Sequence, residues 1–464
     1  MPFDTLSEPF EVRDPGTGRT MEKFIIEGGQ PLSGTIVPAG NKNAALPALA
    51  ATLLTEEEVV LRNIPRIRDV EAMIDLIRGL GATAEWREDN VVAMCAANVS
   101  ATEVDAELSE KIRASFLLAG PLLARFGSAN MPPPGGDVIG RRRLDPHLDA
   151  FRALGARVET TDRSYRLSAP LGLRACDFFM DEPSVMGTEN AMMAAALAPG
   201  STVIHNAASE PHVQDLARLL LQMGARIEGI GSNVLIVYGA ETLAGADYSI
   251  GPDYIEVGSF IALAACTGGE LRIRDVVADD LRMTRLAFER LGCRVELQGN
   301  DVLVPPQQQL RVKDDEGDAI SKIEDGPWPA FPADLTSIAL ALATQAEGMV
   351  LIFEKMFENR LFFVDKLVSM GARVLLCDPH RAVVSGPSRL HGERVESPDI
   401  RAGMAMLIAA LCAEVKSEIG NIRQIDRGYE RIDERLRALG ARIERIPSRG
   451  RPEGLTPQGE SLPA

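Results

Sequence analysis

Residues 134–149 read PGGDVIGRRRLDPHLD, which sets Asp137 behind paired glycines and places Arg141, Arg142 and Arg143 side by side. An arginine run is ordinarily a solvated turn. This chain, however, holds 66 acidic against 49 basic residues, a formal charge of −17, so three adjacent cations stand out against their background. A guanidinium group binds two oxygens of a carboxylate or phosphate at once. The chemistry such a cluster can support is capture of one small anionic ligand in a local basic pocket.

A second set of polar residues recurs at the beginnings of Ala-rich, nearly all-apolar stretches. These are Lys42 and Asn43 before AALPALAATLL, Arg113 before ASFLLAGPLLA, Ser184 before VMGTENAMMAAALA, Asp334 before LTSIALALATQA, and Asp399 with Arg401 in DIRAGMAMLIAAL. A helix apolar all round is buried. Its first turn carries free N–H groups and partial positive charge, so it binds anions. Each polar residue alone reads as a helix cap. Several in register, with DYIEVGSFIALAAC as a sixth helix, point to N-termini converging where two globules face each other.

The elements that would position them come from a repeat. RGLGATAE, RALGARVE, LQMGARIE, ERLGCRVE, VSMGARVL and RALGARIE put Gly81, Gly155, Gly224, Gly292, Gly371 and Gly440 at spacings of 68–79 residues. Before each glycine lies an amphipathic helical pattern such as YERIDERLRAL. The glycine ends it in the left-handed conformation, and a β-branched alternating run follows. The fold class expected is α/β: two inside-out domains, each of three repeated units with buried helices and outer sheets, six units in all.

Bulk features exclude several functions. The acidic balance argues against nucleic-acid and anionic-membrane partners. No apolar run reaches the roughly 18 residues of a membrane span. The six cysteines form no C-x-x-C pair, and most lie in apolar runs, so they read as reduced, buried thiols in a cytoplasmic protein. The five histidines lack metal-ligand spacing, and no metal is expected. No Walker loop or dinucleotide fingerprint appears, and GIGSNV lacks the third glycine, so no cofactor is expected. Residues 1–20 and 448–464 read as disordered tails.

GNKNAALPALAATLL, IRASFLLAGPLLARFG, PGGDVIGRRRLDPHL, PAFPADL, FENRLFFV, DIRAG and IDRGYERIDERLRALGA, in this order, resemble the UDP-N-acetylglucosamine enolpyruvyl transferases. The resemblance runs from about Phe24 to Ile446. It implies a first lobe of residues 21–41 plus 252–447 and a second lobe of 42–251 that carries a catalytic loop, 131–141. It implies transfer of the enolpyruvyl group of phosphoenolpyruvate to the 3′-hydroxyl of UDP-N-acetylglucosamine with release of phosphate, an early step of peptidoglycan synthesis. A sister transferase on another acceptor, or a catalytically silent paralogue that binds the nucleotide sugar, is the competing reading. The oligomeric state is not legible.

The resemblance also implies roles. Lys42, Arg142 and Arg401, with Arg427 at the carboxylate end, surround phosphoenolpyruvate. Arg113 contacts the diphosphate, and Arg360 is a further cation of the site. Asn43, Leu144, Asp145, Pro146, Ser184, Val185 and Met356 fall on nucleotide-sugar positions. Arg143 joins the substrate set, although Arg141 and Arg143 read equally well as solvated neighbours of Arg142. Asp399 and Glu358 are expected to orient the arginines. Asp334 is the expected base for the hydroxyl, or a cap of its helix, or both. Asp137 stands where many relatives have cysteine. A carboxyl can deliver a proton as a thiol does, but it forms no stable thioether-type adduct, so fosfomycin resistance follows. An ordinary aspartate titrates near ~3.9, so Asp137 must gain its proton in the closed complex. Its loop, MPPPGGDVIGR, has stiff prolines and permissive glycines, as catalytic lids do. Tyr254 stands where arginine is common, and Met186 where glycine is.

Overall fold

A computed structural model describes residues 21–137 and 139–448. The expected tails thus fall, apart from Ser448, outside the described residues. Helices with Ala and Leu on every face have no polar side to show to water and go inside. Lys42–Ala51, Ala119–Phe126 and Val185–Ala195 fill one apolar core. Tyr254–Thr267, Thr336–Ala343 and Ile400–Cys412 fill another. In the last of these every residue from Ile400 to Leu411 is buried. Small residues let these helices approach closely. A β-carbon on Gly120 would sit 2.7 Å from the Asn190 carbonyl oxygen of the neighbouring helix.

Each repeat glycine behaves as its sequence requires. Arg68–Gly79, Asp145–Ala153, Pro211–Gln222, Arg282–Arg290, Val364–Ser369 and Ile432–Ala438 each run toward one. All six glycines adopt positive φ, between 80° at Gly292 and 105° at Gly81. A strand follows every one, from Thr83–Glu88 to Arg442–Pro447. The described strands form six sheets, five of four strands and one of three. They lie around the helical cores.

The chain leaves and re-enters one body. Strand Glu22–Glu27 sits between Lys416–Gly420 and Arg442–Pro447, with Phe24 opposite both Ile419 and Arg445. One core accordingly joins Phe24–Ile36 to Tyr254–Ile443, and the other spans Ala44 to Ile250. We call these the split lobe and the inserted lobe. The two connections between them run side by side: Asn41 N–H donates to the Gly251 carbonyl at 2.9 Å, and Asp253 N–H to that of Ala39 at 2.8 Å. The cysteines depart from expectation. All are free, but only Cys293 is fully buried and Cys377 is exposed, because Cys377 lies on the outer strand Val374–Asp378. No described helix is long and apolar enough to cross a membrane.

Candidate active site

The first turns of four buried helices, and the 3-10 turns Arg113–Leu118 and Ala333–Leu335 that run directly into the other two, reach one cavity of about 260 Å³ between the lobes. Lys42, Arg113, Val185, Tyr254, Asp334 and Ile400 all line it. Six partially positive ends therefore face a common space. Asn41, Ser184, Asp253 and Asp399 cap four of these helices with side-chain oxygens.

On one side a chain of charges crosses the cleft. Lys42 Nζ lies 2.7 Å from Asp69 Oδ2, and Arg427 Nε lies 2.8 Å from Asp69 Oδ1. Arg427 also donates to Asp137 Oδ1 and, at 2.9 Å, to Gln424. Asp69 is buried, which opposes its ionisation. Lys42 and Arg427 outweigh that cost and hold its carboxyl below the usual carboxylate range.

A second charge group faces it. Asp334 accepts from Arg360 at 2.9 Å and from Arg401 at 3.1 Å. Burial works against its charge, but Arg401, Arg360 and Lys42 together hold it well below the ordinary value. Asp334 occupies the turn Ala333–Leu335, and its carboxylate forms no side-chain cap, so the capping alternative is not realised. Arg401 Nη1 is buried with no hydrogen-bond partner among the described residues, beside the cavity.

Arg142 makes no ion pair among the described residues, and burial, with Arg113 close by, lowers its guanidinium to about 10. Arg113 donates to the carbonyls of Arg142 at 2.6 Å and Arg143 at 3.2 Å, bracing the arginine run from below. Arg143 turns outward, to Asp181 at 2.9 Å and Asp145 at 3.2 Å. Arg141 offers its backbone N–H to Glu358 at 3.1 Å, and Asn359 N–H donates to the Ile139 carbonyl at 3.0 Å. The loop of Asp137 is thereby docked on the split lobe.

The remaining expected residues divide. Asn43, Val185 and Met356 line the cavity. Leu144 and Asp145 line a groove that continues from it past Arg113 and Arg142. Pro146 and Ser184 stand behind the wall: Ser184 Oγ accepts from Gly187 N at 3.2 Å, and Pro146 packs on Gly187. Asp399 caps Ile400–Cys412 by accepting from Arg401 N at 2.8 Å, and it faces an adjoining pocket with Asp137 and Arg427. Glu358 holds the loop backbone through that contact with Arg141 N–H.

Known proteins match this chain and its fold. The family model for EPSP synthase (3-phosphoshikimate 1-carboxyvinyltransferase) matches residues 26–436. A UDP-N-acetylglucosamine 1-carboxyvinyltransferase from Bradyrhizobium diazoefficiens is 58% identical over 427 residues, 92% of this chain and 99% of that protein. The protein of the same name from Treponema denticola is 56% identical over 424 residues, 91% of this chain and 99% of its own. This chain belongs to the enolpyruvyl (carboxyvinyl) transferase family. Among solved structures, the enolpyruvyl transferase NikO from Streptomyces tendae superposes with a TM-score of 0.82 at 25% identity, covering 93% of this chain and all of that one. EPSP synthase from Acinetobacter baumannii shares the fold, at a TM-score of 0.71 and 17% identity over 92% of this chain and all of its own.

Sequence reasoning missed other residues of this transferase's cleft. Asp69 looks like any acid in a first helical turn. Glu210 and His212 lie in the polar segment ahead of Pro211–Gln222 and at its start, and Trp328 on a loop. Glu189 alone carried a signal: it is the one charged residue in a largely apolar helix.

Proposed function

We propose that the chain transfers the enolpyruvyl group of phosphoenolpyruvate to the 3′-hydroxyl of UDP-N-acetylglucosamine, releasing phosphate. The observation that carries this reading is the convergence of six helix N-termini and six cations (Lys42, Arg113, Arg142, Arg360, Arg401 and Arg427) on one cavity that also holds Asp137 and Asp334. The cations suit the phosphate and carboxylate of phosphoenolpyruvate. The groove past Arg113 and Arg142 suits a diphosphate and its nucleoside.

In this reading Asp137 protonates the methylene carbon of phosphoenolpyruvate, which leaves positive charge on the neighbouring carbon. The sugar 3′-oxygen attacks that carbon, and its proton passes to Asp334. Two arginines make Asp334 a weak base, adequate for a hydroxyl that loses its proton as it bonds to a cation. Asp137, now a carboxylate, takes a proton back from the new methyl group of the tetrahedral adduct. The carbon–oxygen bond to phosphate breaks, and phosphate leaves among Lys42, Arg142 and Arg401. Bound phosphoenolpyruvate takes over the positive charge of Arg427, which frees Asp137 to take up its proton once closure excludes water. The lobes 21–41 with 252–447, and 42–251, are the bodies that close. We place the reaction in the cytoplasm, where both charged reactants and free thiols persist.

Phosphate release should require both reactants, and the product should carry the added mass of an enolpyruvyl group. Phosphate released at the same rate without the UDP-sugar rejects the reading.

A further inference from the structure

One wall of the cleft is built from residues outside the cationic set. Glu189 and His212 are only 1% and 5% exposed, yet among the described residues Glu189 Oε1 and His212 Nδ1 have no hydrogen-bond partner, and neither has Oε2 of Glu210. All three residues line the cavity. Buried polar atoms are nearly always paired, so three unpaired atoms on one wall mark a place kept for a ligand. Beside them Glu210 takes the backbone N–H of Trp328 at 3.4 Å. The His212 ring stacks on Tyr254 with centroids 6.3 Å apart and planes 10° apart, and Trp328 meets Tyr254 edge-on at 6.0 Å. Met186 and Tyr254, the two side chains that depart from the resembling family's common residues, lie on this same wall.

The unpaired atoms of Glu189 and His212 differ in kind. Burial, and then the charge of Glu210, push the Glu189 carboxyl well above the usual range, which favours its protonated, donating form. Burial holds the His212 imidazole at about 4, so it is neutral at pH 7 and its free nitrogen can accept. The charges of Asp334 and Arg401 act on His212, which lines the same cavity as they do. A trans secondary amide points its N–H and C=O to opposite sides. Its recognition needs a donor, an acceptor across from it, and an apolar surface for the methyl group.

We propose that Glu189 and His212 read the 2-acetamido group of the acceptor sugar, Glu189 donating to its carbonyl oxygen and His212 Nδ1 accepting from its N–H, with Met186 and Trp328 against the methyl. This rests on the acceptor proposed above. Glu210 acts through Trp328 as a positioning residue.

Initial rates of phosphate release with UDP-N-acetylglucosamine and with UDP-glucose, which has a hydroxyl in place of the acetamido group, test it. The unmodified enzyme should prefer the acetamido sugar by about 100-fold or more in kcat/KM, because a site built to pair a polar group leaves its own groups unpaired with the wrong ligand. Glu189→Leu should raise KM for UDP-N-acetylglucosamine at least ~30-fold while leaving kcat/KM for UDP-glucose within ~3-fold, which collapses the preference. Glu189→Gln restores a donor and should keep the preference. His212→Phe keeps the stack on Tyr254 and removes the acceptor, so it should act like Glu189→Leu, and it serves if that variant does not fold. Equal use of both sugars by the unmodified enzyme, or variants that slow both sugars alike, overturns the subsite alone. No phosphate from either sugar overturns the acceptor reading and the subsite with it.

Discussion

Asp69 separates stability from chemistry. It is the shared counter-ion of Lys42 and Arg427, buried between them. Asp69→Asn leaves two cations facing each other and should cost about 3 kcal/mol of unfolding free energy, as broken buried pairs do. The sign of its pH dependence follows from its lowered titration. The carboxylate's contribution is complete above the unfolded value, near ~3.9, and is lost as pH falls through the still lower folded value. Urea denaturation should therefore show the full gap between parent and variant at pH 7 and a narrowing gap below pH ~4. A gap that widens with acid contradicts the pairing. Asp137→Cys should keep turnover and acquire time-dependent inactivation by fosfomycin, to which the parent is indifferent; a mass increment on the peptide that carries the introduced thiol checks it. At this scale the sequence was legible where a residue's type is rare in its setting. Arg142 follows a glycine hinge in an acidic chain, and Asp334 heads an apolar helix. Arg143 was not separable from Arg142 by type. Its direction is set by Asp145, two residues on, together with Asp181, and the second is distant in sequence, so no local pattern reports it.

The repeated helix–glycine–strand turn is the element on which the fold depends. Its glycines take positive φ for want of a β-carbon, yet their surroundings differ. A β-carbon on Gly440 would meet nothing within 4 Å, whereas one on Gly292 would lie 2.4 Å from the Arg311 backbone nitrogen. Gly440→Ala should cost about 1 kcal/mol, the strain of the left-handed conformation alone. Gly292→Ala should cost clearly more, because backbone must shift as well. Equal losses in urea titrations would mean that the turn relaxes freely. The loop that carries Asp137 is the second element. Gly140 has φ 142°, and its β-carbon would lie 2.1 Å from Glu358 Oε2. Gly140→Ala should undock the loop and cut kcat about 100-fold while UDP-sugar affinity changes little. Helices, glycines and strands were readable because periodicity and left-handed turns are local. Which strands share a sheet was not. The pairing of Glu22–Glu27 with Arg442–Pro447 joins the two ends of the described chain.

Across the whole molecule, the docked loop, Arg427 on Asp69, and Asn90 Nδ2 on Glu430 at 2.9 Å all bridge the lobes. The paired connections Ala39–Asn41 and Gly251–Asp253 are left as the pivot. Addition of both reactants should slow amide hydrogen exchange in 131–141 and 356–361 and leave both helical cores unchanged. Uniform protection would mean general stabilisation rather than closure. The central claim is that Asp137, carried on the loop between the lobes, gives the proton that starts the reaction. It is tested most directly in D2O by following deuterium into the vinyl methylene of the product. The parent enzyme should incorporate deuterium at the rate of turnover. Asp137→Asn should incorporate at least ~1,000-fold more slowly while binding UDP-N-acetylglucosamine with unchanged affinity. Deuterium entering at the parental rate in Asp137→Asn would contradict the account.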